Sequence, residues 1–325
     1  MVYTRRDFAK LALAGVPASA MIEKVFAAPA PDPASRPNSL INGVQIGTIT
    51  YSYRSMPDQS GDATLKYVVD SGISAIELMS GPAEQFAGAP ASGRGGGGRR
   101  GEQTPEQQAA QRAAAEQLKQ WRLSVSMDTY KALRKKYNDA GVTIFAWKCL
   151  NPGMSDQEIE YVFNVAQALG CTHTTLELTD DVAQLKRIGG FAEKYKIYAA
   201  YHTHTQGGMT VFEPALAASK GNMANIDLGH YVAGGNVGGT TLQFLQKYHD
   251  RVASFHIKDR TTPDHGAKNL PWGTGDTPVA EILRLVKQNG WKMPATIELE
   301  YDVPPGSDAV KEVRKCLAYC RTALA

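Results

Sequence analysis

The chain is short of the features that would assign it to several large protein classes. Its 325 residues include only four cysteines, too few and too poorly placed for a disulfide scaffold. Cys149 falls late in one expected strand and Cys171 early in the next parallel one, at opposite ends of a sheet. Cys316 and Cys320 share one expected helix at a spacing that rarely gives bridge geometry. All four are expected as free thiols. Past the N-terminal leader no segment approaches the roughly 18 apolar residues of a membrane span, so no membrane partner is expected for the mature form. A large excess of one charge is also missing: 35 Lys and Arg stand against 32 Asp and Glu, a net charge of +3. Much of that excess is local, at Arg5 and Arg6 and at Arg94, Arg99 and Arg100. With seven histidines and no concentrated basic face, nothing calls for a nucleic-acid partner. A Gly-rich dinucleotide fingerprint is absent too, which counts against an open doubly wound sheet.

What is present divides into three parts. Thr4-Arg5-Arg6-Asp7-Phe8-Ala9-Lys10 precedes a weakly apolar run from Leu11 to Ile22 and small residues around Val25-Phe26-Ala27-Ala28. This resembles a twin-arginine export signal cleaved after Ala27 or close to it, and it implies a periplasmic or secreted protein. Residues 1–27 are read as that signal, 28–40 as a linker and 41–325 as one domain.

Within the domain, β-rich runs alternate with stretches of helical periodicity. The strands are expected at Gln45 to Tyr51, Ala75 to Met79, Thr143 to Trp147, Thr172 to Leu178, Ile197 to His204, Met223 to Leu228, Val252 to Ile257 and Ala295 to Glu300. Gly72, Gly141, Gly170 and Gly290 follow four of the expected helices, as terminating glycines do. Such repeated strand-helix units imply a closed parallel sheet, a single α/β (β/α)8 TIM barrel. One insertion, 87–108, is Gly- and Arg-rich and of low complexity. It is read as a flexible surface loop, with a mobile lid as the alternative.

In such a barrel the carboxyl ends of the strands converge on one mouth. There the sequence places Glu77, Lys148, Glu177, His202 and His204, Asp227 and His230, His256 and Lys258, and Glu298 and Glu300. Burying such groups is costly unless they pair or bind a metal. Three carboxylates and one imidazole give a mainly oxygen coordination sphere, suited to Mn2+ first, and to Mg2+, Co2+ or Fe2+, with Zn2+ admitted.

Several segments then align with one superfamily. They are Leu176-Glu177-Leu178, Tyr201-His202-Thr203-His204, Asp227-Leu228-Gly229-His230, Ser254-Phe255-His256-Ile257-Lys258-Asp259, Pro271-Trp272-Gly273-Thr274-Gly275-Asp276 and Ile297-Glu298-Leu299-Glu300. In that order the chain resembles the xylose-isomerase-like barrels, which include sugar phosphate isomerases and epimerases, family-2 AP endonucleases, inosose dehydratases and ketose 3-epimerases. The resemblance implies Glu177, Asp227, His256 and Glu298 as ligands of one divalent cation, with Glu300 the alternative to Glu298. It also implies Glu177 and Glu298 as the catalytic carboxylates and His230 as a contact to substrate. His202, His204, Lys258, Glu77 and Lys148 are expected to line the pocket, and Trp272 either stacks on a sugar face or packs its loop.

The chemistry implied is proton removal beside a carbonyl through an enediolate. Epimerisation or isomerisation of a sugar or polyol follows, and β-elimination from a 3-keto-glycoside or an inosose is the alternative. An exported enzyme points away from phosphorylated substrates and toward free sugars, polyols or glycosides. A homo-oligomer stays open.

Overall fold

The computed structural model describes residues 36–90 and 104–325. The expected export signal, residues 28–35 of the linker, and Arg94, Arg99 and Arg100 of the insertion lie outside the described residues.

Eight parallel strands form the centre: β1 (Val44–Ile49), β2 (Ala75–Met79), β3 (Thr143–Lys148), β4 (His173–Glu177), β5 (Tyr198–His202), β6 (Asn222–Asp227), β7 (Val252–Ile257) and β8 (Ala295–Ile297). Each pairs with its neighbours in sequence, and β1 pairs with both β2 and β8, which closes the barrel. A short antiparallel strand, Leu40–Ile41, adds to β1.

Strand alternation explains why the sequence takes this form. Along β7, Phe255 and Ile257 belong to the apolar core. The alternate residues Ser254 and His256 reach polar partners on other strands, His173 and Glu77, and all four are buried. β6 repeats the pattern, with Ala224 and Ile226 in the apolar core and Asn225 and Asp227 on the other face.

The helices are α1 (Gly61–Asp70), α2 (Ser80–Phe86), α3 (Pro105–Ser124), α4 (Met127–Asp139), α5 (Asp156–Leu169), α6 (Val182–Tyr195), α7 (Glu213–Ala218), α8 (Leu228–Ala233), α9 (Thr241–Tyr248), α10 (Val279–Asn289) and α11 (Ala309–Leu324). Ser155 and Glu158 form a capping box at the start of α5, and Thr240 and Gln243 another at α9. Gly170 and Gly290 end α5 and α10 with φ of 77° and 65°, the left-handed conformation expected of them.

Most strand ends shift by a residue or two from expectation, as β1 ends at Ile49 and not Tyr51 and β5 at His202 and not His204, and two further differences have an identifiable cause. The last strand stops at Ile297 rather than Glu300, because the Leu299 amide donates to the Ser52 hydroxyl, 3.0 Å away, instead of continuing the ladder. The insertion ends earlier than Gln108: Thr104 caps α3 through a capping box with Gln107. Helix α3 is then fastened to the barrel by Arg122, whose Nε donates to Glu84 of α2 at 2.7 Å, and Tyr161 of α5 donates to the same carboxylate at 3.0 Å. All four cysteines are free. No helix among the described residues is long and apolar enough to cross a membrane.

Candidate metal centre and active site

The ends of β5 to β7 and the segment leaving β8 bring His202, Asp227, His256 and Glu298 together, all buried. A ligand atom from each lies within 4.8 Å of every other. Glu177 occupies an adjoining group with His202 and His204, under the same 4.8 Å limit. Its side chain is 52% exposed; Lys148 donates to one oxygen at 2.9 Å, and His204 Nδ1 lies 3.3 Å from the other. His202 is therefore common to both groups. Glu298, not Glu300, belongs to the buried group.

His256 lies between two carboxylates. Nε2 is 2.7 Å from Glu77 and Nδ1 is 3.0 Å from Glu298. Burial alone would lower its pKa, yet Glu77 and Glu298 raise it to about 10. Burial would likewise raise Glu77, but His256 and Lys148, with the Thr175 hydroxyl, bring that carboxyl down to about 2. Glu298 is held well below its ordinary value, burial being outweighed by Lys258 and His256. Asp227 moves the other way, to about 7, because burial and Glu298 outweigh the attraction of Lys258. Lys258 is 3% exposed, and its ammonium meets Asp227 at 3.0 Å, Glu298 at 2.8 Å and Glu300 at 2.5 Å.

The ring of His202 is oriented from behind. Asn225 gives its amide N–H to Ser254 at 2.7 Å, which leaves its Oδ1 to accept from His202 Nδ1 at 2.8 Å. The Asn225 carbonyl accepts from the same nitrogen at 3.2 Å. The lone pair of His202 is thereby left on Nε2. Burial and the charge on His256 keep the imidazole neutral. Asp227 Oδ1 caps α8 by accepting from the His230 amide at 2.7 Å, while its buried Oδ2 has no hydrogen-bond partner among the described residues.

Two parts of the site were not singled out from sequence. Asp259 accepts from the backbone amides of Gly273, Thr274 and Gly275 on one oxygen (2.7, 3.0 and 2.9 Å) and of Thr277 on the other (3.2 Å). It thus gathers the loop 271–277 around itself. Arg260 follows, 9% exposed, and its guanidinium Nη1 meets His230 Nδ1. The signal for both was adjacency: they extend the His256-Ile257-Lys258 segment, and sequence order alone does not reveal their partners. Trp272 is buried, its ring edge-on to Tyr319 at 5.8 Å, which is the packing alternative of the sequence reading.

The family model described as xylose isomerase-like TIM barrel matches residues 65–320. Among solved structures, the 3-keto-D-glucoside 4-epimerase YcjR of E. coli superposes with a TM-score of 0.58 at 11% identity, covering 86% of this chain and 99% of that one. A sugar phosphate isomerase/epimerase of Parabacteroides distasonis gives 0.55 at 18% identity, over 90% and 97% of the two chains. A D-psicose 3-epimerase gives 0.55 at 13%, over 86% and 99%. At these identities the likeness is one of fold. No curated protein matches the chain.

Proposed function

The chain belongs to the xylose isomerase-like TIM barrel family, and from that premise we propose that it is a divalent-metal-dependent isomerase or epimerase of a non-phosphorylated sugar or polyol. The observation that carries this reading is the buried group of His202, Asp227, His256 and Glu298 at the carboxyl ends of the strands. The donor set fits a cation. It combines two carboxylates with two imidazoles, and the buried Asp227 Oδ2, which has no hydrogen-bond partner among the described residues, faces the Lys258 ammonium at 3.0 Å, a position where positive charge is already favoured. Asp227, His256 and Glu298 would hold the ion, with His202 Nε2 and Glu177 beside them. Manganese suits these donors first, and magnesium, cobalt, iron or zinc is admitted.

A divalent ion there would supply a Lewis acid for a carbonyl oxygen and the adjacent hydroxyl oxygen, acidifying the C–H bond between them. The protein's own groups account for the proton. Glu177, on the open side and steadied by Lys148 and His204, is placed to take it. Glu298, deeper and held ionised by His256 and Lys258, would return one relayed from the Lys258 ammonium 2.8 Å away, while the proton left on the half-exposed Glu177 passes to solvent, from which the relay is recharged. Return to the same carbon epimerises; return to the neighbouring carbon isomerises. The Arg5-Arg6 leader supports export, and phosphorylated sugars are kept inside cells, so the substrate is read as neutral.

The test is to incubate the manganese-loaded protein with free sugars and 3-keto-glucosides in deuterium oxide and follow the products by NMR. Deuterium incorporation with every substituent retained is expected. Release of an aglycone or of water would replace this reading with β-elimination, and full activity after thorough chelation would end the metal assignment.

A further inference from the structure

The His230 ring is held between two cations: Arg260 is placed on Nδ1, and Lys258 Nζ lies 3.0 Å from Nε2. A neutral imidazole has one N–H and one lone pair, whereas guanidinium and ammonium groups only donate. One of the two contacts is therefore a hydrogen bond and the other is not. The alternatives open to each cation decide which. Lys258 donates to Glu300 at 2.5 Å and lies in ion-pair contact with Asp227 at 3.0 Å and Glu298 at 2.8 Å, so its charge is compensated without the ring. The Arg260 nitrogen facing the ring has His230, while its Nη2 donates to the Ala267 carbonyl and its Nε has no partner among the described residues. The lone pair thus belongs on Nδ1 and the proton on Nε2.

That proton points toward the carboxylate side of the site, where Glu300 Oε2 is 3.7 Å away, too far for a hydrogen bond. We propose that Arg260 is a positioning residue that fixes His230 in its Nε2–H form, so that the imidazole presents a donor, and not a base, to a substrate oxygen. The role of the substrate rests on the isomerase reading above; the tautomer does not. The main chain of Arg260 is itself anchored, because its amide donates to Thr277 Oγ1 at 3.0 Å and its carbonyl accepts from the Asp276 amide at 2.9 Å. The loop gathered by Asp259 therefore also holds the backbone of Arg260.

The experiment is ring-nitrogen NMR on the full chain labelled with 15N-histidine, metal-free and magnesium-loaded, with His230→Gln identifying one signal among seven histidines. The expected spectrum has a protonated Nε2 and a bare Nδ1 at His230. In Arg260→Met the proton shifts at least partly to Nδ1 as Lys258 donates to Nε2, and Arg260→Lys, which keeps a donor, retains more of the original form. An Nδ1–H imidazole in the wild-type protein, or an unchanged tautomer in Arg260→Met, would overturn the proposal. The wild-type spectrum decides the matter even if the methionine variant does not fold. On a substrate found as above, Arg260→Met should lower kcat/KM about 10- to 100-fold, by analogy with the loss when the partner orienting a metal-ligating histidine is removed, with Arg260→Lys recovering part. The expected tautomer with no sugar turned over would sink the isomerase reading and leave this one standing.

Discussion

Lys258 Nζ lies 3.0 Å from Asp227 Oδ2, an oxygen that belongs to the group suited to a divalent cation. The protein therefore carries a tethered cation of its own at that position. Removing it by Lys258→Met leaves Asp227 and Glu300 without their nearest counter-charge, and Glu298 with His256 alone, when no metal is present. The melting temperature of the chelated variant should fall, while that of the metal-loaded variant falls less. Calorimetry with and without manganese measures the gap between the two; a gap equal to that of the wild type would mean that Lys258 and the metal do not share this role.

The same cluster predicts how chelated protein responds to pH. His256 is raised from 6.5 to about 10 on folding, so its contribution is fully present below pH 6.5 and is lost as pH rises through 10. Asp227, raised from 3.8 to about 7, also favours lower pH, over the interval between those values. Thermal melts in a chelator from pH 6.5 to 10 should show declining stability. Loaded protein should decline less, since a ligating imidazole nitrogen carries no proton. A flat profile in chelator would contradict the charged His256.

Substitutions should separate holding the metal from moving the proton. Asp227→Ala and His256→Ala are expected to lose both bound metal and turnover. Glu177→Gln should lose turnover yet keep about one equivalent of metal, because the buried group stays intact and an amide oxygen remains at the mouth. Elemental analysis beside the kinetic assay distinguishes these outcomes, and loss of metal from Glu177→Gln would make that carboxylate an indispensable ligand.

Gly229 admits Lys258. A Cβ at Gly229 would come within 2.4 Å of Lys258 Cγ and 2.7 Å of its carbonyl oxygen, and the backbone cannot yield as a side-chain tip would. Gly229→Ala should destabilise the protein by about 1–3 kcal/mol, as overpacking does, and should displace the ammonium. Urea denaturation measures the first effect and the manganese affinity the second.

Much of this was legible in the sequence because a barrel collects strand ends. Asp227 and His256 are read from their own strands, and Glu298 from the residue after the apolar run that precedes it. What escaped are relationships that depend on closure. Glu77 meets His256 across 179 residues of chain, and neither segment reveals the other. The choice of Asn225 as the group orienting His202 likewise depends on the register of β5 against β6. Helix α3 escaped for another reason: the low-complexity run before it masked the Thr104-Pro105-Glu106-Gln107 capping signal.

Asp259 reads amide groups alone, and that sets which positions of its loop are open to exchange. Thr274 contributes its amide to Asp259, and its exposed hydroxyl donates only to the Pro271 carbonyl within the loop at 2.6 Å, so serine and other small polar residues there should leave Arg260 where it is. Gly275 has no such latitude, since a Cβ would stand 2.3 Å from Asp259 Oδ1. Proline at 273, 274 or 275 would delete a donor outright. The loop at the rim can thus vary its chemistry toward new substrates at one position while its shape, and the histidine it indirectly sets, stays constant.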